Sequence, residues 1–93
     1  MAQEFTYTIT ADESLLTKVH LNRSLLTSRM ARDFNIHMSD GEILRQTIYA
    51  WLAQEQFAGR FMCRRYRRDN GEFGVWFGFS DQNTAFAFKM RWG

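Results

Sequence analysis

Hydrophobic and polar positions change their spacing several times along this chain, and each spacing implies a different element. From Glu4 to Thr10, Phe5, Tyr7 and Ile9 alternate with Thr6, Thr8 and Thr10. A period of two in aromatic and β-branched residues predicts a half-buried strand. Asp12 or Ser14 then offers a helix cap. Leu15, Val19, Leu26, Met30 and Phe34 follow as a helical stripe, widened by Leu21 and Leu25 and interrupted where Asn22 faces inward. This favours one long or kinked helix. The alternative is a break at Asn22, with residues 18–21 extended and a shorter helix over 23–34.

Ser39-Asp40-Gly41-Glu42 matches a capping box, in which the serine hydroxyl and the glutamate carboxylate each satisfy a backbone N–H of the first turn. Ile43, Leu44, Thr47, Ile48, Trp51 and Leu52 then share one helical face, and Gly59 suits the stop.

Two strand-like runs flank Asp69-Asn70-Gly71, predicting a β-hairpin. A three-residue loop ending in a left-handed glycine pairs Phe61 with Phe79 and Cys63 with Phe77. It gathers Phe73, Val75, Phe77 and Phe79 with Phe61 and Cys63 on one face. Met62, Arg64, Tyr66, Arg68, Gly74, Trp76 and Gly78 then share the other. A two-residue loop would slip the register by one and set the phenylalanine row against arginines, which disfavours it. Ser80-Asp81-Gln82-Asn83 can cap a terminal helix containing Ala85, Phe86, Phe88 and Met90. The same stretch also alternates, so a third meander strand is the other reading.

The expected fold is a single α+β domain over residues 1–93. A small antiparallel sheet carries helices on one face, in the order β-α-α-β-β-α. Nine Phe, three Trp and three Tyr in 93 residues can fill a core despite the short chain. No proline and few glycines argue against linkers or low-complexity tails. One cysteine excludes an internal disulfide and fits a reducing cytoplasm. With no leader-like start and no apolar run long enough for a bilayer, neither export nor membrane association is expected.

Charge alters the picture. Residues 1–59 carry five Lys/Arg and seven Asp/Glu, whereas residues 60–93 carry seven and three. The basic excess centres on the hairpin, where Arg60 to Phe79 holds five arginines and six aromatic residues. Arginine is suited to bidentate hydrogen bonding and to stacking on rings. The candidate partner-binding residues are Arg64, Arg65, Tyr66, Arg67, Arg68 and Trp76, with Tyr66 and Trp76 as outward-facing anchors. The sheet face bearing them is read as a contact surface for another protein or as a homodimer interface. The alternative is a platform for single-stranded nucleic acid, where bases stack on the rings and phosphates meet the arginines. A net charge of only +2 favours the protein partner. Ordinary sheet decoration is the plain reading, with aromatics covering glycines and arginines protecting an edge.

Phe73-Gly74-Val75-Trp76-Phe77 followed by Phe79-Ser80-Asp81 resembles the third strand and second-helix start of an RNA-recognition motif. It departs where Gly71-Glu72 replaces the basic residue and glycine, and only 14 residues follow Phe79. It is read as convergence of strand chemistry. The ending Phe88-Lys89-Met90-Arg91-Trp92-Gly93 is similar to the ends of small accessory proteins of tailed bacteriophages. That resemblance implies a bacterial cytoplasm and binding of a host macromolecule, and transfers no site residue.

Catalytic chemistry finds no constellation. His20 and His37 are 17 residues apart without acidic or thiol companions at ligand spacing, and with Cys63 they do not make a zinc site. Neither a phosphate-cradling glycine loop nor a Ser-His-Asp arrangement is present. No catalytic residue, metal or cofactor is expected. His20 reads as a surface or helix-boundary residue and His37 as a loop residue. Cys63 reads as a small buried hydrophobe, and Met30, Met38, Met62 and Met90 read as core filling.

Overall fold

A computed structural model describes residues 15–54 and 56–93. The strand expected over Glu4–Thr10, and the caps at Asp12 or Ser14, lie outside the described residues. Among those described, the order is strand β1 (Thr17–His20), a 3-10 turn (Arg23–Leu25), α1 (Ser28–Arg32), α2 (Asp40–Leu52), β2 (Phe61–Arg67), β3 (Phe73–Phe79) and α3 (Gln82–Trp92). The three strands form an antiparallel sheet in the order β1-β3-β2. The class is α+β.

The hairpin takes the expected register. Phe61 pairs with Phe79, Cys63 with Phe77, Arg64 with Trp76 and Tyr66 with Gly74. Asp69-Asn70-Gly71 forms the loop, closed by Arg68 N–H donating to the Glu72 carbonyl at 2.6 Å, with Gly71 at φ +86°. A β-carbon is strained at that angle, which accounts for glycine there.

The long helix expected over residues 15–34 does not form. Residues 17–20 pair instead with the far side of β3, Thr17 opposite Phe79 and Val19 opposite Phe77. The helical spacing of Leu15, Val19 and Leu26 was coincidental, for Leu15 is 78% exposed while Val19 faces the core. A ladder along β3 and two β-branched residues outweigh a weak helical stripe. Asn22 marks the break. Its side chain accepts from Ser24 N–H (2.9 Å), donates to the Gly93 carbonyl (3.1 Å), and its backbone N–H reaches the Trp92 carbonyl (2.9 Å). One residue thus starts the 3-10 turn and ties down the chain end. Thr27 caps the short α1 by accepting from Met30 N–H at 3.0 Å.

Only half of the capping box is used. Ser39 Oγ accepts from Glu42 N–H at 3.1 Å. The Glu42 carboxylate accepts from Arg45 (2.5 Å) and Gln46 (3.3 Å), while Ser39 N–H goes to the Ile36 carbonyl. α2 stops at Leu52, capped at Ala53, so Gly59 is not its terminator. Gly59 instead adopts φ +91° just before β2 begins. Asp81 caps α3 through Thr84 N–H at 2.8 Å, which decides residues 82–92 as helix.

All three helices contribute to one core against the phenylalanine face of the sheet: Ala31 from α1, Ile48 and Leu52 from α2, and Ala85, Phe88 and Trp92 from α3. Phe77 is its hub, with the Phe88, Phe61 and Phe34 rings centred 4.8, 5.9 and 6.3 Å away. Edge-on and tilted ring pairs at these spacings add to burial. On α3 the buried stripe leaves Phe86 and Met90 facing solvent. Met38 is exposed as well, so of the four methionines expected in the core only Met62 is fully buried and Met30 partly.

Candidate functional site

Alternation along β2 divides the hairpin arginines between two sides of the sheet. Arg64, Tyr66 and Arg68 share the outer face with Trp76 and the glycines of β3, whereas Arg65 and Arg67 point to the helix side. There the core has ended. Arg65 and Arg67 both lie over the Phe73 ring, 5.4 and 5.0 Å from its centre. Arg65 also donates to the Arg32 carbonyl at the end of α1. On the outer face Arg68 lies 5.5 Å over Tyr66. Of the hairpin's two carboxylates, Asp69 and Glu72, the second pairs with Arg23 at 3.0 Å.

Two anchors differ from expectation. Trp76 points away from the helices as expected, yet it is only 7% exposed and offers no open ring. The Lys18 ammonium sits 4.6 Å over it, and a β-carbon at neighbouring Gly78 would meet both Trp76 and Leu16. Tyr66 is half-buried across Gly74, and its hydroxyl shares a hydrogen bond with His20 Nδ1 at 3.0 Å. Neither ring stands clear of the sheet: Tyr66 lies across Gly74 and Trp76 beside Gly78.

The six expected residues therefore do not form one patch. Arg64, Arg65 and Arg67 are exposed, Arg68 and Tyr66 half-buried and Trp76 buried. The arginines are joined only around the edge of β2, which flanks no other described strand. Lys18, His20 and Arg32 come to the same region. The single-helix reading hid Lys18 and His20, whereas the alternative with a break at Asn22 and residues 18–21 extended comes close to the observed β1.

The remaining reactive groups stay apart. Cys63 is buried on the core face, and burial pushes its thiol up to about 12. A thiol held protonated is a poor nucleophile. His20 lies on the outer sheet face and His37 in the turn between α1 and α2. Among the described residues, no three His, Cys, Asp or Glu side chains gather as a metal-binding group. No described helix is long and apolar enough to cross a membrane. A shallow groove of about 340 Å³ between β1 and α3 is lined by Lys18, Lys89 and the exposed Phe86, without an acid–base pair.

The fold and this edge define a small α+β domain bearing ring-steered guanidinium groups. No protein-family model, curated protein or solved structure matches the chain.

Proposed function

We propose that the protein is a non-enzymatic binding protein that engages an acidic surface of another protein through the β2 edge, with Arg64, Arg65, Arg67 and Arg68 as contacts. The observation that carries this reading is the pair Arg65 and Arg67, both solvent-exposed and both laid over Phe73. A guanidinium already ordered on a ring loses less freedom when it takes a carboxylate, and its fork binds two oxygens at once. Burial of Trp76 weighs against single-stranded nucleic acid, since base stacking supplies much of that affinity. The partner class follows from this chemistry. The phage-like ending is consistent with a host protein as partner, but Phe88 and Trp92 are already accounted for by packing in the core.

Affinity capture from bacterial lysate, with and without nuclease, tests the reading. An Arg65→Ala/Arg67→Ala variant that melts like the parent should lose the captured protein, and nuclease should leave capture unchanged. Capture abolished by nuclease, with affinity falling steeply as salt rises, would transfer the same arginines to phosphate binding. Retention of the partner by a variant lacking all four arginines would sink both readings. Capture of a second copy of the chain would make the edge a homodimer interface.

A further inference from the structure

Two residues of β2 offer backbone hydrogen bonds and positive charge at the same place. Arg68 N–H donates to the Glu72 carbonyl, and Ser80 N–H donates to the Arg60 carbonyl. Those two bonds fix the alternation of the β2–β3 ladder, so the even-numbered residues of β2 bond to β3. Arg65 and Arg67 therefore turn their backbone N–H and C=O groups away from β3. Among the described residues nothing bonds to those groups, and both arginines are exposed. Their side chains leave on the helix side, spread over the Phe73 ring. Arg65 gives one N–H to the Arg32 carbonyl, and a guanidinium has others left for a ligand.

We propose that the partner presents an extended strand that pairs antiparallel with Arg65 and Arg67 and carries carboxylate side chains at two alternate residues. This inference rests on the binding reading above and specifies what that edge takes. In an antiparallel pair, residues that exchange both backbone bonds lie directly opposite and project to the same face. The two partner residues bonded to Arg65 and Arg67 thus present their side chains to the two guanidinium groups. Alternate residues recur roughly 7 Å apart along a strand, which selects Asp or Glu at both positions and leaves the residue between them on the other face.

Charge decides against the competing occupants. A second copy pairing over these two residues would set arginine against arginine, and like charges directly opposite are destabilising. Nucleic acid has no peptide backbone to complete the ladder. Charge on an exposed edge discourages pairing between copies of one chain, and here the same charge admits an acidic strand. Main-chain bonds then supply affinity and the side chains supply selectivity, as in strand addition generally.

The probe is the end-blocked peptide Thr-Glu-Val-Glu-Thr, added to the folded protein with the backbone amides followed by NMR. At millimolar concentration it should shift the Arg65 and Arg67 amides and slow their hydrogen exchange. N-methylation of both glutamates should abolish the effect, because it removes the paired donors and keeps the carboxylates. N-methylation of the valine should not. Thr-Glu-Glu-Val-Thr, with one carboxylate on the wrong face, should bind up to about fivefold more weakly. Equal binding by the peptide methylated at its glutamates would reject strand addition and leave the acidic-surface reading standing. Loss on methylating the valine alone would reject this pairing, and unchanged affinity for an Arg65→Ala/Arg67→Ala variant would reject the charge selection. No shift with any peptide would overturn the proposal, while capture from lysate decides the binding reading separately. Slow exchange at Arg65 and Arg67 before peptide is added would show an edge already paired, by a second copy if it grows with protein concentration, and would equally overturn it.

Discussion

The phenol of Tyr66 lies so closely across Gly74 that a β-carbon on the glycine would fall 2.5 Å from the ring. Gly74 is thus the floor that lets Tyr66 lie flat and reach His20. Gly74→Ala should lift the ring, cost about 1–3 kcal/mol as overpacking does, and break the Tyr66–His20 hydrogen bond. Chemical denaturation gives the first quantity and the His20 imidazole NMR shifts the second. An alanine variant with unchanged stability and His20 shifts would refute the close contact.

Gly41 sets two opposing effects against each other. It lies in the first turn of α2, where alanine is favoured over glycine by about 1 kcal/mol. A β-carbon there would meet the Met30 carbonyl oxygen at 2.3 Å and the Phe34 nitrogen at 2.6 Å, both backbone. Backbone cannot rotate aside as a side chain can, so the steric effect wins. Gly41→Ala should destabilise by roughly 3 kcal/mol, seen as a marked fall in the denaturation midpoint.

Glu42 is 4% exposed, and its hydrogen bond from Arg45 holds its carboxyl below the ordinary value despite the opposing effect of burial. A depressed folded-state value contributes stability above the unfolded-state pKa, about 4.3. That stability drains away as pH falls through the folded value. Thermal melts should therefore drop on acidification below that pH. Glu42→Gln should melt lower at neutral pH and lose less on acidification.

Cys63 has the opposite sign. Burial raises its pKa to about 12, so its contribution is complete below the unfolded value, about 8.5, and is lost as pH climbs from there towards 12. A thiol reagent at mildly alkaline pH should modify the protein only as fast as the chain opens. Labelling at the rate of a free thiol under native conditions would show an accessible Cys63.

Much of the hairpin was legible because its constraints are local. The loop Asp69-Asn70-Gly71 sets the register, and alternation then assigns every side chain from Phe61 to Phe79 to its face. The cap at Ser39 needed only neighbours three residues away. The site was half legible. Arginines on β2 could be placed on their faces, but whether Trp76 was open depended on what lay over the sheet.

The sequence by itself determined the α+β class, the hairpin and its pairing, the start of α2 and the burial of Cys63, because these rest on contacts between near neighbours and on strand periodicity. Only the tertiary structure decided that residues 17–20 join the sheet, that Asn22 clasps the chain end and that Trp76 is covered. The partners lie far away in sequence: β3 for Val19, Trp92 and Gly93 for Asn22, while the Lys18 ammonium lies over the Trp76 ring. A weak local preference yields when a distant backbone ladder or an apolar surface offers more free energy than the preference is worth.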